Sequence, residues 1–146
     1  MSDEEFCGLL GAARFIPKDI LICGCTDSFP AQARASALAL KLGSPYLARQ
    51  LYKNGMAAEV YFNYPGVTKG GCQRCVMSSR YKAYSDGFKN NVTSDGTPIF
   101  ATSRVNSIKG QIALALLLYG EKGCVYGDML GKIADRNFLL IRMNDR

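Results

Sequence analysis

The chain contains no histidine, and no other feature of its composition removes more chemistry. Histidine is the commonest general base near neutral pH and the commonest nitrogen ligand for a metal. Neither a Ser-His nor a Cys-His catalytic pair can therefore be built. No apolar run approaches the ~20 residues needed to span a bilayer. The first residues, MSDEEF, are acidic, unlike a secretory signal or a transit peptide. There is also no glycine-rich GxGxxG turn of the kind that cradles nucleotide phosphates at a helix N-terminus. These absences lead us to expect a cytoplasmic, non-membrane protein.

What is present is ordinary in amount and unusual in arrangement. The 146 residues are 48% apolar and 21% charged, as in a globular protein. A chain of this length buries roughly 68–70% of its unfolded surface, enough for one domain with a real core. We read 1–146 as a single domain. The net charge of +6 is compatible with an acidic partner, but many domains with such a charge bind no polyanion, and nucleic acid is not the expected partner. Six cysteines stand at 7, 23, 25, 72, 75 and 124. In a reducing compartment disulfides are not expected. Cys23 and Cys25 fall in an apolar stretch, where cysteine behaves as a small hydrophobe. Only Cys72 and Cys75 have ligand spacing.

The pattern of elements is α/β. Ser2 and Glu5 form a capping box for a helix over 3–15 that Pro17 ends. Ile20 to Cys25 reads as a strand buried within a parallel sheet. Asp27 or Ser28 can cap an alanine-rich helix that runs to about Leu42 and stops at Gly43. A second strand over Tyr46 to Leu51 completes a βαβ unit. Glu59 to Tyr64 alternates as a strand antiparallel to a neighbour. Residues 66–98 show little periodicity, and we expect a knuckle at 71–77 followed by an irregular, mobile loop over 78–98. Val105, Ile108, Ile112, Ala115, Leu116 and Tyr119 mark a helix closed by Gly120, and Phe138 to Met143 a last strand.

Three groups of residues carry chemistry. Asp27 lies just past the carboxyl end of the first strand, the edge where open α/β sheets bind ligands. A carboxylate there can hold Mg²⁺ against a nucleotide phosphate, or simply cap the following helix. Gly70-Gly71-Cys72-Gln73-Arg74-Cys75 is a zinc-knuckle sequence, two thiolates from a tight turn that supply half of a tetrahedral structural site. Three outcomes stay open: free thiols, a site completed by Cys124 and one other group, or a site shared by two chains. In the loop, Arg80, Tyr81, Lys82, Tyr84, Phe88 and Lys89 interleave cations with aromatics, which can serve single-stranded nucleic acid or merely decorate a mobile segment. Asn91-Val92-Thr93 matches a glycosylation acceptor, which has no use without a secretory signal.

The order ILICGCTDSF, alanine-rich helix, LGSPYL, EVYFNYPG and CQRC resembles the ThiF/MoeB/HesA adenylyltransferases, relatives of the ubiquitin-activating enzymes. The similarity runs from about Phe6 to Tyr119 and matches the second half of that family's domain. It implies a partial Rossmann-like, three-layer α/β domain with a mixed sheet. It implies that Asp27 approaches Mg²⁺–ATP as the catalytic and cofactor-binding acid, and that Cys72 and Cys75 hold a structural zinc. The implied reaction is ATP-dependent activation of a carboxylate, with a ubiquitin-like or sulfur-carrier protein as partner and residues 78–98 as a crossover loop over the site. The sequence departs from the family where the phosphate loop should be, and Gln32 and Ser36 stand where an arginine and an asparagine often follow the acid. No cysteine lies between 76 and 123 to accept an activated carboxyl group on the loop. The expected state is a homo-oligomer, or a half-domain that needs a separate N-terminal half, so that this chain alone is inactive. The alternative is a non-catalytic module for protein binding or dimerisation, since an uncovered sheet edge favours association.

Overall fold

A computed structural model describes residues 2–89 and 96–142. Among these it has six α-helices and one four-stranded mixed sheet, with helices against both faces. The strands are β1 (Ile22–Gly24), β2 (Tyr46–Leu51), β3 (Ala57–Asn63) and β4 (Phe138–Arg142), in spatial order 1-2-3-4. β1 and β2 are parallel, with Ile22 opposite Tyr46. β2–β3 and β3–β4 are antiparallel. The βαβ unit and the antiparallel third strand thus form as the sequence predicts. The acceptor-like Asn91-Val92-Thr93 lies outside the described residues.

Strand alternation sorts the core into two halves. Leu47 on β2 and Ala58, Val60 and Phe62 on β3 meet one pair of helices, α5 (Ile99–Leu117) and α6 (Val125–Ile133), through Val105, Ile112, Leu116 and Leu130. Tyr46, Ala48 and Tyr61 point the other way. They meet α2 (Phe29–Leu42) and the short pair α3 (Gln73–Val76) and α4 (Ser78–Ser85) through Phe29, Ala39 and Met77.

α1 (Asp3–Ala12) is made by its capping box: the Glu5 N–H donates to Ser2 Oγ at 3.1 Å and the Ser2 N–H to Glu5 Oε2 at 2.6 Å. It ends short of the predicted 15 because Arg14 takes a left-handed φ of 55°, which a helix cannot continue. None of its side chains is fully buried. A 2.6 Å ion pair from Asp3 to Arg34 ties it to α2.

Four expectations need correction. The first strand is three residues long and lies at the edge of the sheet, so it is not buried between neighbours. Cys23 and Cys25 are exposed rather than acting as core hydrophobes, because no strand or helix covers the outer side of β1 among the described residues. Residues 78–85 are helical where an irregular loop was expected, and 73–76 form a helical turn within the expected knuckle. The missed signal is the helical spacing of Gln73, Met77, Tyr81 and Tyr84, which all face the sheet side. Finally, α6 was not anticipated. Its apolar residues Val125, Met129, Leu130 and Ile133 recur at helical spacing, but Gly127 and Gly131 interrupt the reading. Gly127 is needed, since a Cβ there would collide with the Glu121 carbonyl.

No helix among the described residues is long and apolar enough to cross a membrane.

Candidate functional site

Asp27 sits in the turn that leaves β1 at its carboxyl end and enters α2. Its neighbours fix that turn. The Ser28 N–H donates to Thr26 Oγ1 at 3.1 Å. Ser28 Oγ accepts from the Ala31 N–H at 3.5 Å, so Ser28 is the N-cap of α2 and Pro30 occupies its first turn. Of the two candidate caps, the structure uses Ser28 and leaves the Asp27 side chain exposed to solvent.

Gln32 holds the turn from beneath. It is buried, its Nε2 donates to the Thr26 carbonyl at 2.5 Å, and its own carbonyl accepts from Tyr46 Oη at 2.9 Å. The Tyr46 hydroxyl passes so close to Gly24 that a Cβ there would overlap it. Gly24, Tyr46 and Gln32 therefore act as one clamp that sets how the chain leaves β1 toward Asp27. Ser36, the other position of family departure, is also buried in α2.

The cysteine pair is built from the other side of the same face. Cys72 stands at the N-terminus of α3, and its sulfur lies 3.3 Å from that of Cys75. The preceding Gly71 carbonyl accepts from Asn137 Nδ2 at 2.8 Å and from Tyr61 Oη at 3.2 Å. Gly70 packs against the Asn137 side chain with no room for a Cβ. Two strands' worth of fold thus pins the knuckle. The Cys75 backbone N–H holds the Cys72 thiol below its ordinary range, against the opposing effect of burial. The Cys75 thiol is pushed up, first by the hydrogen bond it shares with Cys72 and then by that sulfur's charge. The turn therefore brings two thiols of opposite perturbation into contact. Among the described residues no group of three or more cysteine, aspartate or glutamate side chains gathers anywhere. Cys124, at the N-terminus of α6, does not join the pair.

Arg80, Tyr81 and Tyr84 of α4 turn inward. Phe29, which follows the Ser28 cap, stacks on Tyr84 at 4.9 Å and meets Tyr81 edge-on at 4.9 Å. The Arg80 guanidinium lies 5.6 Å from the centre of the Phe29 ring. It pairs with Glu59, a carboxylate on β3 that is only 3% exposed, and donates to Gln50 Oε1 at 3.0 Å. Tyr52 Oη donates to the other Glu59 oxygen at 2.7 Å. Three of the six loop residues considered for nucleic acid, Arg80, Tyr81 and Tyr84, are thereby committed to packing. Lys82, Phe88 and Lys89 are exposed. No local pattern signals the Glu59–Arg80 pair, because residues 21 apart in sequence meet only when α4 folds across the sheet.

Set against protein-family models and against curated proteins, the chain matches none.

Proposed function

We propose that this chain is the second half of a Rossmann-like, ATP-dependent carboxylate-activating domain of the ThiF/MoeB/HesA type, acting on a ubiquitin-like or sulfur-carrier protein. The observation that carries the reading is Asp27: it stands at the carboxyl end of a parallel strand while Ser28 does the capping, so its carboxylate is left for a ligand. Mg²⁺ takes one or two hard carboxylate oxygens and fills its shell with water and phosphate, and a single exposed aspartate fits that demand. The residues fit only this corner of the nucleotide, since no phosphate loop is present; the first half of the domain, upstream or on a separate chain, has to supply it.

Bound Mg²⁺–ATP supplies an electrophilic α-phosphorus and a pyrophosphate leaving group. Asp27 would hold the Mg²⁺, while Gln32 and Ser28 keep the Asp27 turn in place and Tyr46 and Gly24 fix its departure from β1. Such transfer depends on positioning and electrostatics. Cys72 and Cys75 form half of a structural zinc site in this reading, completed by the same pair from a second copy. Asp27→Ala in the complete enzyme should abolish ATP–pyrophosphate exchange while leaving the melting temperature unchanged; exchange at the wild-type rate would refute the assignment.

The uncovered outer side of β1 favours one other reading, a non-catalytic module used for binding or dimerisation. Titrating Mg²⁺–ATP into the purified chain separates the two. Heat of binding that disappears in Asp27→Ala supports the split enzyme. No binding, together with a stable dimer, supports the module.

A further inference from the structure

Cys23 and Cys25 belong to neither the adenylation reading nor the zinc knuckle. Cys23 lies in β1 in register with Leu47, which packs toward α5, and Cys25 follows just past the end of that strand. Both are exposed. Lys109, from the middle of α5, brings its ammonium to 3.6 Å from Cys25 Sγ. The sheet edge thus presents two accessible thiols side by side, and the ammonium whose charge reaches both donates its hydrogen bond to Cys25.

We propose that Cys23 and Cys25 form a thiol–disulfide exchange site that takes small, soluble disulfides, with Cys25 the attacking sulfur and Cys23 the resolving one. Cys25, as thiolate, attacks one sulfur of R–S–S–R. The S–S bond breaks, RS⁻ leaves and takes a proton from solvent, and a mixed disulfide remains on Cys25. Cys23 then gives its proton to solvent and attacks Cys25 Sγ, which expels the second RS⁻. Two electrons pass from the cysteine pair to the small disulfide, giving one Cys23–Cys25 bond and two RSH.

The asymmetry of the site assigns the order. Lys109 donates to Cys25, the sulfur that carries negative charge before it attacks. The Cys23 thiol is pushed up, by burial first and by the neighbouring Cys25 second, so it reacts once a partner sulfur is already bound beside it. Geometry then makes the product reversible. Two residues of fully extended chain advance about 6.6 Å, at the upper end of the roughly 4.4–6.8 Å that a disulfide bridges between Cα atoms. A bond closed at that limit is strained and easily reduced, which is the property of labile rather than structural disulfides. The ring would draw in the chain two residues before Asp27. The proposal does not rest on adenylation.

The test uses the whole native chain and oxidised glutathione as the probe, followed by acid quenching, trypsin and mass spectrometry. Lys18 and Arg34 bracket residues 19–34, which carry both thiols, while Arg74 separates Cys72 from Cys75. The wild-type peptide 19–34 should lose two hydrogens without retaining glutathione. Cys23→Ser should stop at a glutathione adduct on Cys25, and Lys109→Met should slow that first step several-fold. Cys25→Ser should leave Cys23 slow to react. Retention of glutathione by the wild-type peptide, or adduct formation in Cys25→Ser as fast as in Cys23→Ser, would overturn the proposal.

Discussion

The two faces of the sheet are built on different principles. The core toward α5 and α6 is built of aliphatic and aromatic side chains: Leu47, Val60 and Phe62 against Val105, Ile112, Leu116 and Leu130, all buried. The face toward α2, α3 and α4 buries polar groups among its aromatics. Glu59, Gln32, Gln73, Tyr46 and Tyr61 are all shielded from solvent there, and most are tied by hydrogen bonds to a loop or a helix end. The apolar face stabilises by area and tolerates hydrophobic exchange. The polar face fixes geometry, since each buried donor or acceptor is costly unless its partner stands in one place. It is this second face that holds the Asp27 turn and the cysteine knuckle.

Mutations can break this contrast in graded steps. The largest effect is expected from Arg80→Ala, which strands the buried Glu59 carboxylate and should cost about 3–5 kcal/mol in urea denaturation. The double variant Arg80→Met with Glu59→Leu should recover most of that loss, because the pair replaced whole by apolar groups leaves no orphaned charge. A double variant as unstable as Arg80→Ala would mean that the pair itself, rather than the stranded charge, holds α4.

On the apolar face, Leu116→Ala should cost about 2–5 kcal/mol through transfer and cavity terms, and Leu116→Met less than about 1.5 kcal/mol. Equal losses for the two would show that this face is as exacting as the other. Gln32→Ala should cost about 1–3 kcal/mol by freeing the Thr26 carbonyl and opening the clamp. It should also weaken any Mg²⁺–ATP binding that Asp27 provides, whereas Leu116→Met should not.

The smallest effects concern the knuckle thiols. In the metal-free chain Cys72, whose thiol is held low, should be alkylated by iodoacetamide at lower pH than Cys75, whose thiol is held high. Because the folded state lowers the Cys72 pKa, the stabilisation it gives is present above the unfolded value and fades as pH falls through the folded one. With zinc bound, neither thiol should react readily, and Cys72→Ser should lower the melting temperature clearly. An unchanged melting temperature together with zinc-independent alkylation would remove the metal.

Much of the frame was legible from local rules. The capping box of α1, the Gly43 stop of α2 and the alternation of β3 are local, and each formed where the sequence placed it. The helical segments 73–85 and 125–133 were less legible. Polar residues and glycines break their periodicity, and their true reason for folding is a contact with the distant sheet: Tyr81 and Tyr84 on Phe29, Leu130 in the α5 cluster.

The candidate site divides in the same way. Asp27 at a strand's end and the Cys72–Cys75 spacing can be read along the chain, because both depend on neighbours a few residues away. Which residue caps α2, that β1 is an edge, that Gln32 clamps the Asp27 turn, and that Lys109 reaches Cys25 across 84 positions were decided only by the tertiary structure. The physical reason is that a propensity or a cap is settled by adjacent atoms, whereas exposure and pairing depend on which surfaces the remaining elements cover.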